Sequence, residues 1–340
     1  MIVVGVEAMH ELIRLSQINK DYTISIRDEG ILRYLFSRSY KTIHALKDVS
    51  LSINEGELVG FVGPNGAGKS TTIKLLCGIL LKTSGEIYVL ESDPFKNRKQ
   101  NMYNIGVVFG QRTNLWWDLP LSDSFALLKK IYKISDAKYE KSMELFDSYF
   151  CLREIWNQPI RQLSLGQRMR GEIASAILHN PRILFLDEPT IGLDIVAKHE
   201  IRDFILTLNR EFNTTVLLTS HDMKDIEKIC KRIVVIDKGM IVIDMPISTL
   251  LKQYNSKIIV CVDYERTVQL KEIKDVHIEC RNNGHRVIYT VAKNVMPVGQ
   301  LLNEISRDNQ VINIEIIENS VEDIIYNIYK HKIYTAEEGT

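Results

Sequence analysis

The sequence predicts an α/β fold followed by a small α+β module, and three observations carry that expectation. Short apolar strands alternate with helical stretches up to about residue 250, which calls for a sheet with right-handed crossovers. One strand–helix junction, Gly63-Pro64-Asn65-Gly66-Ala67-Gly68-Lys69-Ser70-Thr71, fits the phosphate-binding pattern G-x-x-x-x-G-K-[ST]. After Tyr254 the texture changes to the order β-α-β-β-α-β plus a terminal helix, that of a ferredoxin-like module.

In chain order, Leu12 to Ile18 alternates apolar and polar side chains as a half-buried strand does, and Thr23 to Ile26 extends it. Asp28-Glu29-Gly30 opens an amphipathic stretch, Ile31 to Arg38, whose apolar residues share one helical face. It reads either as a helix packed on its own domain or as one presented to a membrane partner or the lipid interface. Tyr40 to Ile53 reads as a strand pair, Ile43 to Leu46 and then Val49 to Ile53. A turn at Asn54-Glu55-Gly56-Glu57 leads into the apolar strand Leu58 to Val62, which feeds the glycine-rich loop. Thr71 to Leu80 reads as helix, Glu86 to Leu90 and Ile105 to Phe109 as strands, and Leu121 to about Glu154 as one helical stretch. Ser164 to Leu178 is a further helix, stopped by Asn180-Pro181. Ile183 to Leu186, Thr215 to Thr219 and Ile233 to Ile236 have the apolar character of strands buried in a parallel sheet. In the module, strands are expected at Lys257–Val262, Val276–Cys280, Arg286–Val291 and Val311–Ile317. Helices are expected at Val268–Ile273, Pro297–Ile305 and Ser320–Tyr329.

Composition bounds the function. A chain of 340 residues with 45% hydrophobic content supports about two domains. Lys+Arg and Asp+Glu balance at 43 each, so no global charge points to nucleic acid. Cys77, Cys151, Cys230, Cys261 and Cys280 are scattered without a C-x-x-C pair, which reads as reduced thiols and argues against a cysteine metal site. Met1 to Ala8 does not read as a secretory signal, and no run of about 18 apolar residues occurs to span a membrane. Work at a membrane would then go through a partner.

The chemistry starts at the loop. Its N–H groups can wrap phosphate oxygens, and the helix beginning near Lys69 points its positive end at the same place. Lys69 would reach the β- and γ-phosphates and the Ser70 hydroxyl would hold Mg2+. A chance match is expected in about one random chain of this length in a hundred. The strand Ile183 to Leu186 delivers Asp187-Glu188 at its carboxyl end, where open α/β sheets bind ligands. Asp187 can hold the Mg2+ shell while Glu188 takes a proton from an attacking water. Leu163-Ser164-Leu165-Gly166-Gln167 precedes a helix upstream, Gly192-Leu193-Asp194 follows closely, and Ser220-His221-Asp222 comes after a buried strand.

With Gln111 added, this order resembles the ATP-binding subunits of ABC transporters over roughly Leu12 to Asp244. The resemblance implies a P-loop NTPase cassette of mixed sheet plus helical subdomain. The domains would then be an N-terminal extension (1–11), an ATPase domain (12–250, helical subdomain about 112–180), a C-terminal accessory domain (255–332) and a tail (333–340). It implies ATP and Mg2+ as cofactors, with Lys69, Ser70 and Thr71 on phosphates and metal. Gln111 would touch Mg2+ or the attacking water and sense the transmembrane partner. Glu188 would be the catalytic base and His221 would contact the γ-phosphate and position the water. Ser164 and Gly166 would reach ATP held by a second copy, with Gln167 and Asp194 also counted as nucleotide-binding. Leu165 departs from the family's usual glycine. For the aromatic that stacks on adenine, Tyr22 is preferred over Tyr40.

The stretch Phe109 to Pro120 looks like a subgroup of ABC-2 type exporters, and its adjacent Trp116 and Trp117 would suit either a groove for a permease helix or core packing. Asp28 to Ser39 is similar to an insertion in exporters of surface polymers, whereas the signature and tryptophan segment look more like drug or uncharacterised exporters. The implied protein is a cytoplasmic ATPase, a homodimer or a partner of a paralogous subunit, held on the inner face of the membrane by an ABC-2 type permease. A soluble ABC ATPase acting on ribosome or nucleic acid, or a non-hydrolytic nucleotide-sensing module, is the alternative.

Overall fold

The computed structural model describes residues 10–26, 39–110, 112–254, 257–268, 272–292, 295–307 and 310–337. The amphipathic stretch expected over 31–38, and Gln111, lie outside them. The chain divides into two units between Met245 and Pro246.

The first unit opens with β1 (Glu11–Ile26) and β2 (Ser39–Asn54), paired antiparallel with Ile13 opposite Ile53 and Tyr22 opposite Ile43. The strand pair expected over 40–53 is thus one 16-residue strand. The apolar phase slips by one residue between Leu46 and Val49, which reads as two strands in the sequence. A bulge absorbs that residue at Asp48, which sits at φ 48°, and Leu46 and Val49 then both face the core while Ile43 stays exposed. Asn19 braces the bulge, donating to Asp48 Oδ1 at 2.9 Å and accepting from Asp48 N at 3.0 Å.

Next come β3 (Leu58–Val62), α1 (Lys69–Leu76), β4 (Ser84–Val89), a single helical turn at Arg98–Asn101, and β5 (Ile105–Phe109). A helical region follows as α2 (Leu121–Ile131), α3 (Asp136–Phe150), 3-10 turns and α4 (Leu165–Ile177). The single helical stretch expected from Leu121 is therefore broken. Lys133 takes φ 52°, and Ser135 then stands at the N-cap with Asp136 in the first turn, a start signal for a new helix. The unit closes with β6 (Ile183–Asp187), α5 (Ile195–Phe212), β7 (Thr215–Thr219), α6 (Met223–Ile229), β8 (Arg232–Asp237) and β9 (Met240–Pro246).

Strand order in the six-stranded sheet is β5-β6-β7-β3-β8-β9, parallel from β5 to β8. The last two strands are joined by Lys238-Gly239, both at positive φ as a two-residue hairpin requires. A smaller sheet, β2-β1-β4, shares one core with it: Ile13, Leu15 and Leu46 pack with Phe61, Phe185 and Val234. Each such side chain contributes about 1.5–3 kcal/mol when removed from water. The helical region is fastened to α5 by Phe204, whose ring lies 4.5 Å from Phe150 and 5.2 Å from Tyr149. The topology matters for the site. Adjacent strands β6, β7 and β3 end at Asp187, beside Ser220 and at the glycine-rich loop, so three chain segments far apart in sequence converge.

The second unit holds α7 (Ile247–Tyr254), β10 (Lys257–Tyr264), β11 (Val276–Arg281), β12 (Arg286–Ala292), α8 (Val298–Ser306), β13 (Val311–Ile317) and α9 (Val321–Glu337). Its sheet order β11-β12-β10-β13, antiparallel throughout, is that of a ferredoxin-like module. Of the helix expected over 268–273, the described residues Val268, Glu272 and Ile273 are not helical. The core gathers Val260, Val262, Val287 and Leu301 around a buried Tyr264–Tyr289 hydroxyl pair at 2.8 Å.

Candidate nucleotide site

Strand β3 is buried along its whole length and delivers the loop as it ends at Val62. The loop's tightness is a packing requirement. A side chain at Gly63 would put its Cβ 2.3 Å from the Ile236 carbonyl oxygen, and Gly68 takes φ 116° with Leu46 in the way of any Cβ. Gly239 N donates to Ala67 O at 3.0 Å, so the β8–β9 hairpin braces the loop from behind. Helix α1 starts at Lys69 with no side chain capping it, which leaves its first N–H groups for a ligand. Asn65, Gly66, Gly68, Lys69, Ser70 and Thr71 line a cleft of about 680 Å³, and Asp187, Glu188 and His221 line its other wall.

Lys69 is buried, and its Nζ donates to the carbonyls of Gly63 at 2.6 Å and Pro64 at 3.1 Å. Burial pulls its pKa below the usual lysine value, while the Glu188 and Asp187 carboxylates act in the opposite direction. Asp187 Oδ1 accepts from Thr219 Oγ1 at 2.7 Å, and Gly110 N donates to the Asp187 carbonyl at 2.8 Å. Glu188 is held at φ 59°, a strained conformation for a side chain of this size, and its N–H donates to both the carbonyl and hydroxyl of Thr219 at 3.1 Å. His221 Nε2 meets Glu188 Oε1 at 2.5 Å, with the histidine 45% exposed and the glutamate 17%. A buried lysine, a carboxylate joined to an imidazole and unsatisfied helix N–H groups suit a phosphate ester and a water to attack it. The Ser70 hydroxyl and the Asp187 carboxylate are hard oxygen donors, which fits Mg2+ held through one carboxylate and phosphates.

Other expected residues lie outside this cleft. Ser164 caps α4 in a reciprocal box: its Oγ accepts from Gln167 N at 3.2 Å, and Gln167 Oε1 accepts from Ser164 N at 2.9 Å. Gly166 packs beside Ala197, where a Cβ would sit in ordinary contact at 3.6 Å from the Ala197 Cβ. Leu165 is the first residue of α4 and is not among the described residues at positive φ, so no glycine is required there. Asp194 caps α5, accepting from Ala197 N at 2.8 Å. Tyr22 does not line the cleft and carries Lys20 Nζ over its ring at 5.0 Å; Tyr40 is exposed and does not line it either. Trp116 and Trp117 keep 38% and 47% of their surface exposed, so core packing does not account for them.

Three further contributors went unread in the sequence. Thr219 orients both Asp187 and the Glu188 backbone, and its signal was a hydroxyl at the end of an apolar strand. Lys74 and Arg112 add positive charge to the cleft, Lys74 one turn after Ser70 and Arg112 directly after Gln111.

Comparison with known proteins returns the family the motif order resembles. A family model described as ABC transporter matches residues 46–191, a span holding the loop, the Ser164 segment and Asp187-Glu188. The ABC transporter ATP-binding protein NatA of Bacillus subtilis (strain 168) is 32% identical over 222 residues, covering 65% of this chain and 90% of that protein. This chain belongs to the ABC transporter ATP-binding proteins. Another member, the bacitracin transport ATP-binding protein BcrA of Bacillus licheniformis, is 30% identical over 292 residues, covering 84% of this chain and 93% of BcrA. Among solved structures, a dimeric ATP-binding cassette in a post-hydrolysis state bound to ADP and Pi matches with a TM-score of 0.58 and 29% identity, over 69% of this chain and 98% of that one. The family makes the α/β unit an ABC ATPase cassette, a fold that binds ATP.

Proposed function

We propose that this ATPase closes as a dimer around ATP and drives a separate ABC-2 type membrane permease, for export. The observation that carries the reading is the Glu188–His221 contact at 2.5 Å in the cleft that Lys69 and Ser70 line. The α- to γ-phosphates rest on loop N–H groups between Asn65 and Thr71, and Lys69 exchanges its two carbonyl partners for β- and γ-oxygens. Ser70 and Asp187, with Gln111, would hold Mg2+, which when bound offsets phosphate charge. Glu188 accepts the proton of the attacking water, and His221 steadies that carboxylate and contacts the γ-phosphate. Tyr22 stacks on adenine, which its position outside the cleft leaves to be tested by ATP affinity in Tyr22→Ala.

Ser164, Gly166, Gln167 and Asp194 serve the site of a second copy. Their position outside this chain's own cleft supports that reading, as does the dimeric ADP-bound relative. Exposed Trp116 and Trp117 offer large rigid anchors for a permease helix. A transport role is supported by BcrA, a bacitracin transport ATP-binding protein. No helix among the described residues is long and apolar enough to cross a membrane, in keeping with attachment to the inner face through a permease.

Phosphate release from Mg-ATP by Glu188→Gln protein tests the reading. We expect a loss of about a hundredfold or more, as for removal of a general base. The same variant should run as a dimer on size exclusion with ATP and as a monomer without it. Release at the wild-type rate would contradict the base, and a monomer with ATP would contradict the shared site.

A further inference from the structure

Behind the cleft lies a buried polar cluster that the mechanism above leaves unused. Asp225 on α6 is fully buried, and Arg202 on α5, Thr190 and Ser220 around it are nearly so. Its Oδ1 accepts from Arg202 Nε at 2.5 Å, and Arg202 Nη2 makes a second close contact with the same oxygen. Its Oδ2 accepts from Thr190 Oγ1 at 2.5 Å and from Ser220 Oγ at 3.5 Å. Ser220 Oγ in turn accepts from Asp222 N at 3.0 Å, which leaves its proton free to point at Asp225.

Those partners come from three segments. Thr190 is two residues past Glu188, Ser220 directly precedes His221, and Arg202 lies on the helix that Asp194 caps. Stability alone is a poor account of such a cluster. Desolvation of a buried ion pair offsets most of its attraction, so apolar residues of the same volume would serve folding about as well. What one carboxylate with ties to each segment does provide is a fixed spacing. Glu188 needs such support, because its φ of 59° is a strained conformation that the surroundings must hold.

We propose that Asp225 is a positioning residue for hydrolysis. Through Thr190 and Ser220 it holds the Glu188 and His221 segments at the separation that brings the two side chains into contact. Through Arg202 it ties both to the helix capped by Asp194. This inference rests on the ATPase reading of the cleft.

Thr190→Val tests it, because valine keeps the shape and leaves the Arg202–Asp225 pair intact while cutting the tie to the Glu188 segment. Phosphate release, half-saturating ATP and thermal midpoint are measured together on Thr190→Val, Thr190→Ser and Ser220→Ala. The rate for Thr190→Val should fall about tenfold or more, in line with the cost of a small misplacement of a catalytic group. Half-saturating ATP should stay within about twofold, a split that a general loss of folded protein does not produce. Thr190→Ser should restore most of the rate, and Ser220→Ala, which cuts the longer tie, should lose less than Thr190→Val. Wild-type rates in Thr190→Val, no rescue by serine, or rate and ATP affinity falling in step would each overturn the inference. Wild-type protein that releases no phosphate would overturn the ATPase reading, and the inference with it.

Discussion

Two helix N-termini in this chain are built in opposite ways. Helix α1 begins with Gly68 at its cap and no side chain satisfying its first N–H groups, so those donors face the cleft. Helix α4 begins with Ser164 and Gln167 bonded to each other's backbone, so the N–H groups of these two residues are satisfied from within. The first end has no side-chain cap; the second carries a reciprocal side-chain cap and is exposed. The difference suggests a division of labour. On the proposed function, the α1 end binds nucleotide in the single chain, while the α4 end, whose Ser164 hydroxyl keeps its own proton to donate, contributes on closure with a second copy.

Lys69→Ala breaks the comparison on the α1 side and should have the largest effect. It removes the one buried cation at the loop, and the affinity for a fluorescent ATP analogue should fall about a hundredfold, since a hydrogen bond to a charged group is worth about 1.5–3 kcal/mol and Lys69 makes more than one. Unchanged affinity would mean that the α1 end does not hold the phosphates. Ser164→Ala works on the α4 side. Removing the cap acceptor should cost about 1 kcal/mol in chemical denaturation and leave ATP binding by the monomer unchanged. Phosphate release should nevertheless fall about tenfold, through the lost contact across the dimer.

The smallest effect is expected just beyond the other end of α4. His179 stacks on Tyr132 with ring centroids 4.0 Å apart, and its Nε2 lies 3.2 Å from the Ile105 carbonyl oxygen. Burial lowers its pKa to about 4, so the folded chain binds a proton there less readily than the unfolded chain. That contribution to stability is present above the unfolded value, about 6.5, and is lost as pH falls from there toward 4. The thermal midpoint of the wild type should decline over that window, and His179→Phe, which can keep the stacking, should flatten the decline without changing phosphate release at neutral pH.

Much of this was legible in the sequence because the signals were local. The loop is a spacing of glycines ahead of Lys69, and Asp187-Glu188 closes an apolar strand of five residues. What escaped depended on the third dimension. The slip between Leu46 and Val49 looked like a gap between two strands, because a bulge propped by Asn19 and a strand break leave the same mark in periodicity. Thr219 looked like one more strand residue until β7 set it beside β6. Gln167 was read as a nucleotide contact, yet its amide is also half of a helix cap. The cluster around Asp225 joins residues up to 35 positions apart and has no spacing to find.

The central claim is that each site needs the α1 end of one chain and the α4 end of another. Mixing Lys69→Ala protein with Ser164→Ala protein tests it most directly, because the mixed dimer holds one site with an intact loop facing an intact Ser164. The account predicts phosphate release from the mixture well above the sum of the two variants assayed alone. A mixture that releases no more than that sum would contradict it.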